Sequence, residues 1–176
     1  MQDTQAALKV INEMQGAGVI QKYAIGGAVA ATFYIEPTAT YDIDIFIPFE
    51  NLPGSSFASL EQIYKYLSDR QYKMVGAHFL IAGWQIQFLP ADDALYSEAL
   101  MQAVEKPVGE VKTWIMTAEH LMAIALKVGR AKDLIRLEQF VRYNVFNPDK
   151  LNQILARHNL VEKWRRFDDK YIKGIL

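Results

Sequence analysis

The spacing of apolar residues along the chain predicts helices at both of its ends. Ala7, Leu8, Ile11 and Met14 recur at helical intervals, which predicts a first amphipathic helix that ends near Gly16. The same periodicity, with breaks at glycine and proline, predicts further helices. These run from the turn Pro53-Gly54-Ser55-Ser56 to about Arg70, and over Thr117–Gly129, Ala131–Tyr143, Pro148–Arg157 and Asn159–Lys173, with Asp92–Val104 as a helix or lid.

Between these helices, β-branched and aromatic residues alternate with polar ones over short stretches, which predicts strands. The predicted strands are Lys22–Ile25, Tyr41–Ile47, Lys73–Gly76, His78–Ile81, Trp84–Leu89 and Gly109–Met116. Strands interspersed with helices predict an α/β (α+β) fold, with a small mixed sheet flanked by helices and a C-terminal helical bundle. We expect residues 1–116 to form the α/β core and residues 117–176 a helical region packed on it.

Two carboxylates one residue apart stand within the strand predicted at Tyr41–Ile47. Side chains alternate between the faces of a strand, so Asp42 and Asp44 point one way while Ile43 and Ile45 point the other. Like charges held this close repel one another and are tolerated mainly where a cation neutralises them. The pattern therefore predicts a site for a divalent metal ion.

A Gly-Gly pair precedes the two aspartates by 15 residues. Gly26 and Gly27 interrupt the apolar strand ending at Ile25, and small residues suited to a helix follow to about Tyr34. Glycines let the backbone approach a ligand closely, and the start of a helix offers unpaired N–H groups to phosphate. A plain turn is the other interpretation of the pair.

Composition excludes several classes of function. The chain of 176 residues has no cysteine, which rules out disulfides, thiolate catalysis and zinc sites built on cysteine. No window approaches 18 uncharged apolar residues, and Met1–Val10 lacks the basic and apolar regions of a signal peptide. We therefore expect a cytoplasmic protein that does not enter a membrane.

Charge is divided unevenly along the chain. Residues 1–111 carry 6 Lys and Arg against 13 Asp and Glu, whereas residues 112–176 carry 13 against 7. An acidic metal-binding part beside a basic helical part suits a cleft for a polyanion such as a nucleotide or RNA. Simple attraction between the two parts explains the division equally well.

The order of these features resembles that of the nucleotidyltransferase superfamily. In that superfamily a strand, a Gly-Gly pair, a helix and a loop, here carrying Thr38 and Thr40, precede a strand that bears Asp-x-Asp. More narrowly, the chain resembles the minimal nucleotidyltransferases related to AbiEii toxins, in which a T-x-D-[IL]-D strand follows the glycines. The segment Ala118–Leu134 also resembles that family's helix-turn-helix segment with its K-L-x-x-x-R-x-K-D pattern. The two segments together span about Tyr23 to Phe140.

This resemblance implies an enzyme that moves a nucleoside monophosphate group from an NTP to a hydroxyl, with Mg²⁺ or Mn²⁺ as cofactor. The acceptor is a tRNA, a protein or a small molecule, and an antitoxin-like partner is a further implication. The resemblance implies that the metal ion is held by Asp42 and Asp44, with Gln87 at the third position. It implies nucleotide binding by Gly26, Gly27, Thr40 and Arg130. The catalytic residues that it implies are Asp42, Asp44, Lys127 and Asp133.

Several of these residues also have a purely structural interpretation. Lys127 and Arg130 lie at the end of a predicted helix, where cations stabilise the helix dipole by roughly 0.3 to 1 kcal/mol. Asp133 lies in the first turn of the next helix, where an anion does the same. Thr40 occupies the family position but could merely cap its loop. By resemblance, Lys127 contacts the triphosphate and Asp133 orients the site or pairs with a basic side chain.

The sequence departs from the family pattern at two places. Family members usually carry a third carboxylate on a neighbouring strand, and the matching position here is Gln87. A neutral amide can accept one bond from a metal ion or its water but supplies no charge, so a second ion should bind more weakly. Asp92 or Asp93 could take over this role. Glu36 stands where a basic residue often precedes the threonine.

The histidines are not expected to form a metal set. His78, His120 and His158 fall on separate predicted elements, and we expect His120 to be an exposed residue in the first turn of a helix capped by Thr117. Trp164 could stack on a base, although helix packing is the simpler role.

Two functions of different class remain open from the sequence. The first is the metal-dependent nucleotidyltransferase described above. The second is a catalytically degenerate module that binds a nucleotide or a partner protein, which Gln87 and Glu36 favour and the retained pair Asp42 and Asp44 disfavours. A toxin held by a partner protein is a related variant of these two.

Overall fold

The computed structural model describes residues 2–48 and 55–173, with side chains described throughout except at residues 55–59. The turn predicted at Pro53-Gly54 lies outside these residues. Seven strands form one mixed sheet in the order β3-β4-β5-β2-β1-β7-β6. The strands are β1 (Ala24–Ile25), β2 (Asp42–Pro48), β3 (Lys73–Val75), β4 (His78–Ile81), β5 (Trp84–Ala91), β6 (Val104–Val108) and β7 (Val111–Ile115). The pairs β2–β5 and β1–β7 are parallel, and the others are antiparallel.

Helices flank this sheet and continue beyond it toward the C-terminus, so the α/β (α+β) fold expected from the sequence is confirmed. They are α1 (Thr4–Gly16), α2 (Gly27–Ala31), α3 (Ser55–Asp69), α4 (Ala94–Met101), α5 (Ala118–Val128), α6 (Ala131–Tyr143), α7 (Pro148–Arg157) and α8 (Val161–Phe167). A π-helical turn, Asp168–Ile172, follows α8 directly. Within the described ranges, no helix has the length and apolarity needed to cross a lipid bilayer.

The two faces of the central strands differ in character. Ile43 and Ile45 of β2 are fully buried, as is their neighbour Ile86 of β5. Helix α3 covers this face, since its Tyr64 ring lies 5.3 Å from the ring of Phe79, which pairs with Ile86. The alternation along β2 therefore turns its aspartates toward the opposite face of the sheet.

Helix α5 ends in a tight turn that directs α6 over the aspartate face. Gly129 adopts a left-handed conformation with φ of 72° and its N–H donates to the Ala125 carbonyl, which ends α5 as glycine C-caps do. Arg130 then occupies the N-cap of α6. The turn thus places Arg130 and the first turn of α6 beside the sheet.

Two parts of the fold differ from the sequence-based expectation. Strand β6 was not predicted, because Glu105, Lys106 and Pro107 break its apolar pattern; it is tolerated as an edge strand that pairs only with β7. The long helix expected over Asn159–Lys173 is instead α8 followed by the π-helical turn, with the Trp164 ring 5.7 Å from that of Phe167.

His120 was expected to be exposed, and this was wrong. Only 1% of the residue is accessible, because α4 and α7 cover this end of α5. Its Nδ1 lies 2.8 Å from the Thr117 hydroxyl and its Nε2 lies 3.4 Å from Glu98. Burial lowers the pKa of His120, so the imidazole is neutral at ordinary pH.

Candidate functional site

Asp42 and Asp44 lie side by side on the open face of β2. In the parallel register with β5, Asp42 is opposite Gln85 and Asp44 is opposite Gln87. Both carboxylates are half-buried, whereas Ile43 between them is fully buried on the other face. The prediction that the two aspartates project together, away from the apolar core, is confirmed.

The two carboxylates have different electrostatic surroundings. The Thr40 hydroxyl donates a hydrogen bond of 2.6 Å to Asp42 Oδ1, and this bond holds the pKa of Asp42 below its ordinary value. Burial, followed by the charge of Asp42, raises the pKa of Asp44 despite the opposing charge of Lys132. The ionised form of Asp42 is thus stabilised by a hydrogen bond, whereas the ionised form of Asp44 is disfavoured unless a cation lies close to it.

The absence of side chains at Gly26 and Gly27 leaves space for two side chains of β2, Phe46 and Asp44. The Gly26 N–H donates to the Asp44 carbonyl at 3.0 Å, and Gly27 has a φ of +60°, which favours glycine. A Cβ on Gly27 would overlap Asp44 Oδ2, and one on Gly26 would overlap the Phe46 ring. This requirement is steric, and contact between these glycines and phosphate stays a prediction.

Gln87 takes the place expected for a third acid. It is the strand neighbour of Asp44 and lines a cavity together with both aspartates. Asp93, one of the two proposed substitutes, caps α4 by accepting from the Leu95 and Tyr96 N–H groups at 2.8 and 3.0 Å. Two cavities adjoin Asp42 and Asp44, and neither Asp92 nor Asp93 is among the described residues that line them.

Basic side chains of α6 and its N-cap face the two aspartates. The Arg130 guanidinium binds Asp133 through Nε at 2.7 Å and Nη2 at 3.2 Å. Asp133 is only 3% accessible, so it fixes Arg130 from beneath. This is the pairing with a basic side chain expected for Asp133, whereas a direct catalytic role for it stays a prediction.

Lys127 is held away from the aspartates. Its ammonium group pairs with Asp93 and lies 5.4 Å from the centre of the Tyr96 ring. Lys127 is not among the described residues that line the two cavities beside Asp42 and Asp44. Contact between Lys127 and a triphosphate stays a prediction that would require the Asp93 pair to open.

Two cavities meet at the aspartates. The larger, of about 610 Å³, includes Thr38, Thr40, Tyr41 and His78 in its wall. The smaller, of about 300 Å³, lies between β2, β5, α4 and α5, and residues at the start of α6 also line it. Six residues belong to both, and they define what we call the junction: Gly27, Asp42, Asp44, Arg130, Lys132 and Arg136.

The donor set at the junction suits one hard cation. Asp42 and Asp44 offer carboxylate oxygens and Gln87 a neutral amide oxygen, which are ligands that Mg²⁺ and Mn²⁺ accept. Among the described residues there is no cluster of three or more His, Cys, Asp or Glu side chains arranged to hold a metal ion. Water or phosphate oxygens would therefore have to complete the coordination of an ion held here.

Sequence reasoning missed several residues of the site. Lys132, Arg136 and Gln139 of α6 line the larger cavity, together with His78 and Gln85 from β4 and β5. The first three recur at intervals of four and three residues, so a polar stripe on α6 could have indicated them. His78 and Gln85 depend on strand register, which the sequence does not specify.

Two of the histidines share one partner. His120 and His158 lie on separate elements, as expected, and both contact Glu98, at 3.4 and 2.7 Å, beside Arg157. This cluster joins α4, α5 and the end of α7. It does not face the junction.

Comparison with known proteins supports the fold. No protein-family model matches this sequence, and no curated protein matches it. The crystal structure of an antigenic nucleotidyltransferase-like protein from Paracoccidioides brasiliensis matches with a TM-score of 0.56 and 12% sequence identity, covering 96% of this chain and 93% of that one. The fold is therefore nucleotidyltransferase-like, and the narrower likeness to AbiEii toxins stays a prediction.

Proposed function

We propose that this protein transfers a nucleoside monophosphate group from an NTP to an acceptor hydroxyl, with Mg²⁺ or Mn²⁺ as cofactor. The observation that carries the proposal is the junction, where two aspartates on one strand face Arg130 and Lys132 between two cavities. Transfer of a phosphoryl group requires attacking and leaving oxygens roughly in line, so donor and acceptor must approach from opposite sides. Cavities on two sides of one acidic pair suit that requirement.

The residues of the chain have separable tasks in this proposal. Asp42 and Asp44, with the Gln87 amide, would hold the ion, which supplies positive charge against the triphosphate. Arg130 and Lys132 bind phosphate oxygens, and buried Asp133 keeps the Arg130 guanidinium in place. The acceptor oxygen bonds to the α-phosphorus, the bond to the β-phosphate oxygen breaks, pyrophosphate leaves, and the hydroxyl proton passes to solvent.

The two parts of the chain contribute different charges to the site. In this proposal residues 1–116 supply the aspartates, and residues 117–176 supply the basic side chains that face them. The acceptor is proposed to be a tRNA, a protein or a small molecule. Control by an antitoxin-like partner belongs to the same proposal, and the neighbouring genes would reveal a candidate for it.

Gln87 favours a second candidate function, a degenerate module that binds a nucleotide without transferring it. Its amide beside Asp44 lowers the negative charge available to a second ion. Such a module would bind an NTP with Mg²⁺ at the junction and release it unchanged.

A transfer assay with labels at two positions distinguishes these functions. Purified protein is incubated with Mg²⁺, total tRNA or a proteome extract, and NTPs labelled at the α- or the γ-phosphate. Nucleotidyl transfer predicts α-label on an acceptor and none from the γ-position, with loss of label in Asp42→Asn. Transfer of γ-label would contradict the proposal. NTP binding without transfer of either label would favour the degenerate module.

A further inference from the structure

Arg136 lies at the junction, yet neither the sequence pattern nor the family resemblance singles it out. It lies on α6 four residues after Lys132 and three before Gln139, so these side chains share one helix face. All three line the larger cavity, and Arg136 also lines the smaller one with Asp42 and Asp44. Its guanidinium therefore belongs to the part of the site where both cavities meet.

The Arg136 guanidinium is half-buried and has few partners. Its side chain is 15% accessible, and the nearest carboxylate oxygen, Asp133 Oδ1, is 3.7 Å away. That distance exceeds a hydrogen bond, and Arg130 already binds both oxygens of Asp133. No hydrogen bond joins the Arg136 side chain to another described residue. A guanidinium carries five N–H donors, and those of Arg136 that find no acceptor among the described residues are open to a ligand in the cavity.

Gln139, one turn further along α6, also has a side-chain atom that finds no hydrogen-bond partner in the described part of the chain. Its side-chain oxygen Oε1 is buried and has no hydrogen-bond partner among the described residues. Most buried polar atoms in proteins are hydrogen-bonded, so an exception beside a cavity indicates a place for a polar ligand. Arg136 offers donors and Gln139 an acceptor to one cavity.

Charge at the junction indicates what that ligand is. Asp42 and Asp44 face three cations, Arg130, Lys132 and Arg136, and Gln87 adds no negative charge. The buried Asp133 that binds Arg130 brings the carboxylates to three as well, so a divalent ion at the two aspartates would leave an excess of two positive charges. An anion of several charges restores the balance, and a nucleoside triphosphate carries that charge together with sugar hydroxyls.

We propose that Arg136 binds the phosphate groups of the nucleoside triphosphate and supplies the positive charge that a second metal ion would supply beside a third carboxylate. Gln139 accepts a hydrogen bond from a hydroxyl of the same nucleotide. This inference rests on the proposed function for the identity of the nucleotide. It goes further in assigning the residue and in replacing one ion by a side chain.

A purely structural role for Arg136 predicts different behaviour. If the guanidinium served only to balance Asp133, its removal would lower the melting temperature. If it is held ready for phosphate, removing a half-buried cation that makes no hydrogen bond to the described residues leaves the melting temperature unchanged or raised, while binding is lost. Stability and affinity together therefore separate the two roles.

The test measures binding of tripolyphosphate and of each NTP by calorimetry, with and without Mg²⁺, alongside thermal unfolding. The variants are Arg136→Gln and Arg136→Lys. Arg142→Gln is the matched control, because Arg142 lies on the same helix and pairs with Glu138 at its exposed end. We expect Arg136→Gln to weaken binding of both ligands by about tenfold or more, since hydrogen bonds to charged groups are the strong ones. Arg136→Lys keeps the charge and should lose less, and Arg142→Gln should match the wild type.

Each outcome bears on the inference separately from the proposed function. Binding by Arg136→Gln within twofold of the wild type overturns the inference, whether or not label transfer occurs. Loss of binding together with a fall in melting temperature in both Arg136 variants also overturns it, in favour of the structural role. Loss of binding at unchanged stability supports it, even if no acceptor receives label, and in that case only the transfer function fails. A wild type that binds neither tripolyphosphate nor any NTP overturns both.

Discussion

At the scale of single residues, Gly27 and Asp44 pack closely against each other. Gly27 has a φ of +60°, and the space for its absent Cβ is occupied by the Asp44 carboxylate. The glycine therefore sets where that carboxylate lies. Its importance for the aspartate pair does not depend on whether it also touches a phosphate.

Gly27→Ala should destabilise the protein and displace Asp44. A side chain at this φ costs roughly 1 to 2 kcal/mol, and the overlap with the carboxylate adds to that. Gly18→Ala is the matched control, because Gly18 has a φ of +73° and no atom within 4 Å of its Cβ position. Chemical denaturation measures both variants. Equal losses of stability would show that Asp44 moves aside freely and that the contact is unimportant.

Asp44 should make stability fall as pH rises. Burial and the charge of Asp42 raise the pKa of Asp44 in the folded protein, so the folded state binds its proton more tightly than the unfolded state does. Its contribution to stability is full below the ordinary pKa of aspartate and is lost as pH rises through the raised value. Without divalent ions, Asp44→Asn should therefore be more stable than the wild type at neutral pH and equal to it in acid.

Thermal unfolding across this pH range, with a chelator or with Mg²⁺, checks that prediction. Mg²⁺ should raise the melting temperature of the wild type at neutral pH and leave Asp44→Asn unaffected, because a ligand stabilises only the state that binds it. If the melting temperatures of the two proteins change with pH in parallel, ionisation of Asp44 does not destabilise the folded protein, and the prediction is wrong.

Gln87→Asp should restore a third acid at the junction. The new carboxylate would lie opposite Asp44 in the register of β5 and β2. A second ion, roughly 4 Å from the first in two-metal sites, should then bind, and transfer activity should rise or appear. Titration with Mn²⁺ followed by paramagnetic resonance counts the ions. One ion in both proteins and no gain in rate would show that Gln87 does not occupy the vacant ligand position.

At the scale of elements, Glu98 connects α4 to α5 and to the end of α7. It accepts from Arg157, and it lies 2.7 Å from His158 and 3.4 Å from His120. The Arg157 hydrogen bond, ahead of the other partners, lowers the pKa of Glu98 to about 2. Because α4 also carries Tyr96, which lines the smaller cavity, this cluster supports one wall of the site.

Glu98→Gln should lower the free energy of unfolding by roughly 1 to 3 kcal/mol, because it removes the carboxylate charge that Arg157 pairs with and one of the two acceptor oxygens that its partners share. In the wild type, the stabilisation is present above the ordinary pKa of glutamate and is lost as pH falls through about 2. Glu138→Gln is the control, since Glu138 pairs with Arg142 alone among the described residues. Urea denaturation of both variants at neutral pH checks this. A loss no larger than that of the control would contradict the supporting role.

The elements that the sequence predicted well are those with strong periodicity. Helix α6 was predicted with its observed bounds, since its apolar stripe is regular and turn residues delimit both ends. Strand β6 was not predicted, because its charged residues and proline interrupt the apolar pattern. An edge strand accepts such residues, since one of its sides is not paired. His120 was misjudged because the covering of α5 by α4 and α7 is a tertiary fact.

The same division applies to the candidate site. The shared direction of Asp42 and Asp44 followed from alternation along a strand, which is local, whereas Gln87 was indicated by the resemblance to the nucleotidyltransferase superfamily. Arg136 and His78 reach the site only through packing and register, and Lys127 was drawn away by Asp93, a partner 34 residues distant. A motif thus indicated which elements meet, while charge pairing between them decided which side chains line the cavities.

At the scale of the whole molecule, the uneven charge of the chain has a spatial meaning. The aspartates come from the acidic first part, and Arg130, Lys132 and Arg136 come from the basic second part. They meet across the junction, where attraction between the two parts and the proposed binding of a polyanion would depend on the same side chains. The sequence left two explanations of the uneven charge equal, a cleft for a polyanion and attraction between the two parts. This one arrangement is compatible with both.

The central claim is that Asp42 and Asp44 bind a divalent ion that holds a nucleoside triphosphate. Calorimetric titration of Mg²⁺ and NTP into Asp42→Asn tests it most directly, since asparagine keeps an Oδ1 acceptor for Thr40 while removing the charge. We predict Mg²⁺-dependent binding in the wild type, and its loss in Asp42→Asn with the fold intact or slightly stabilised by relief of repulsion. Unchanged affinity of the variant in the presence of Mg²⁺ would contradict the claim.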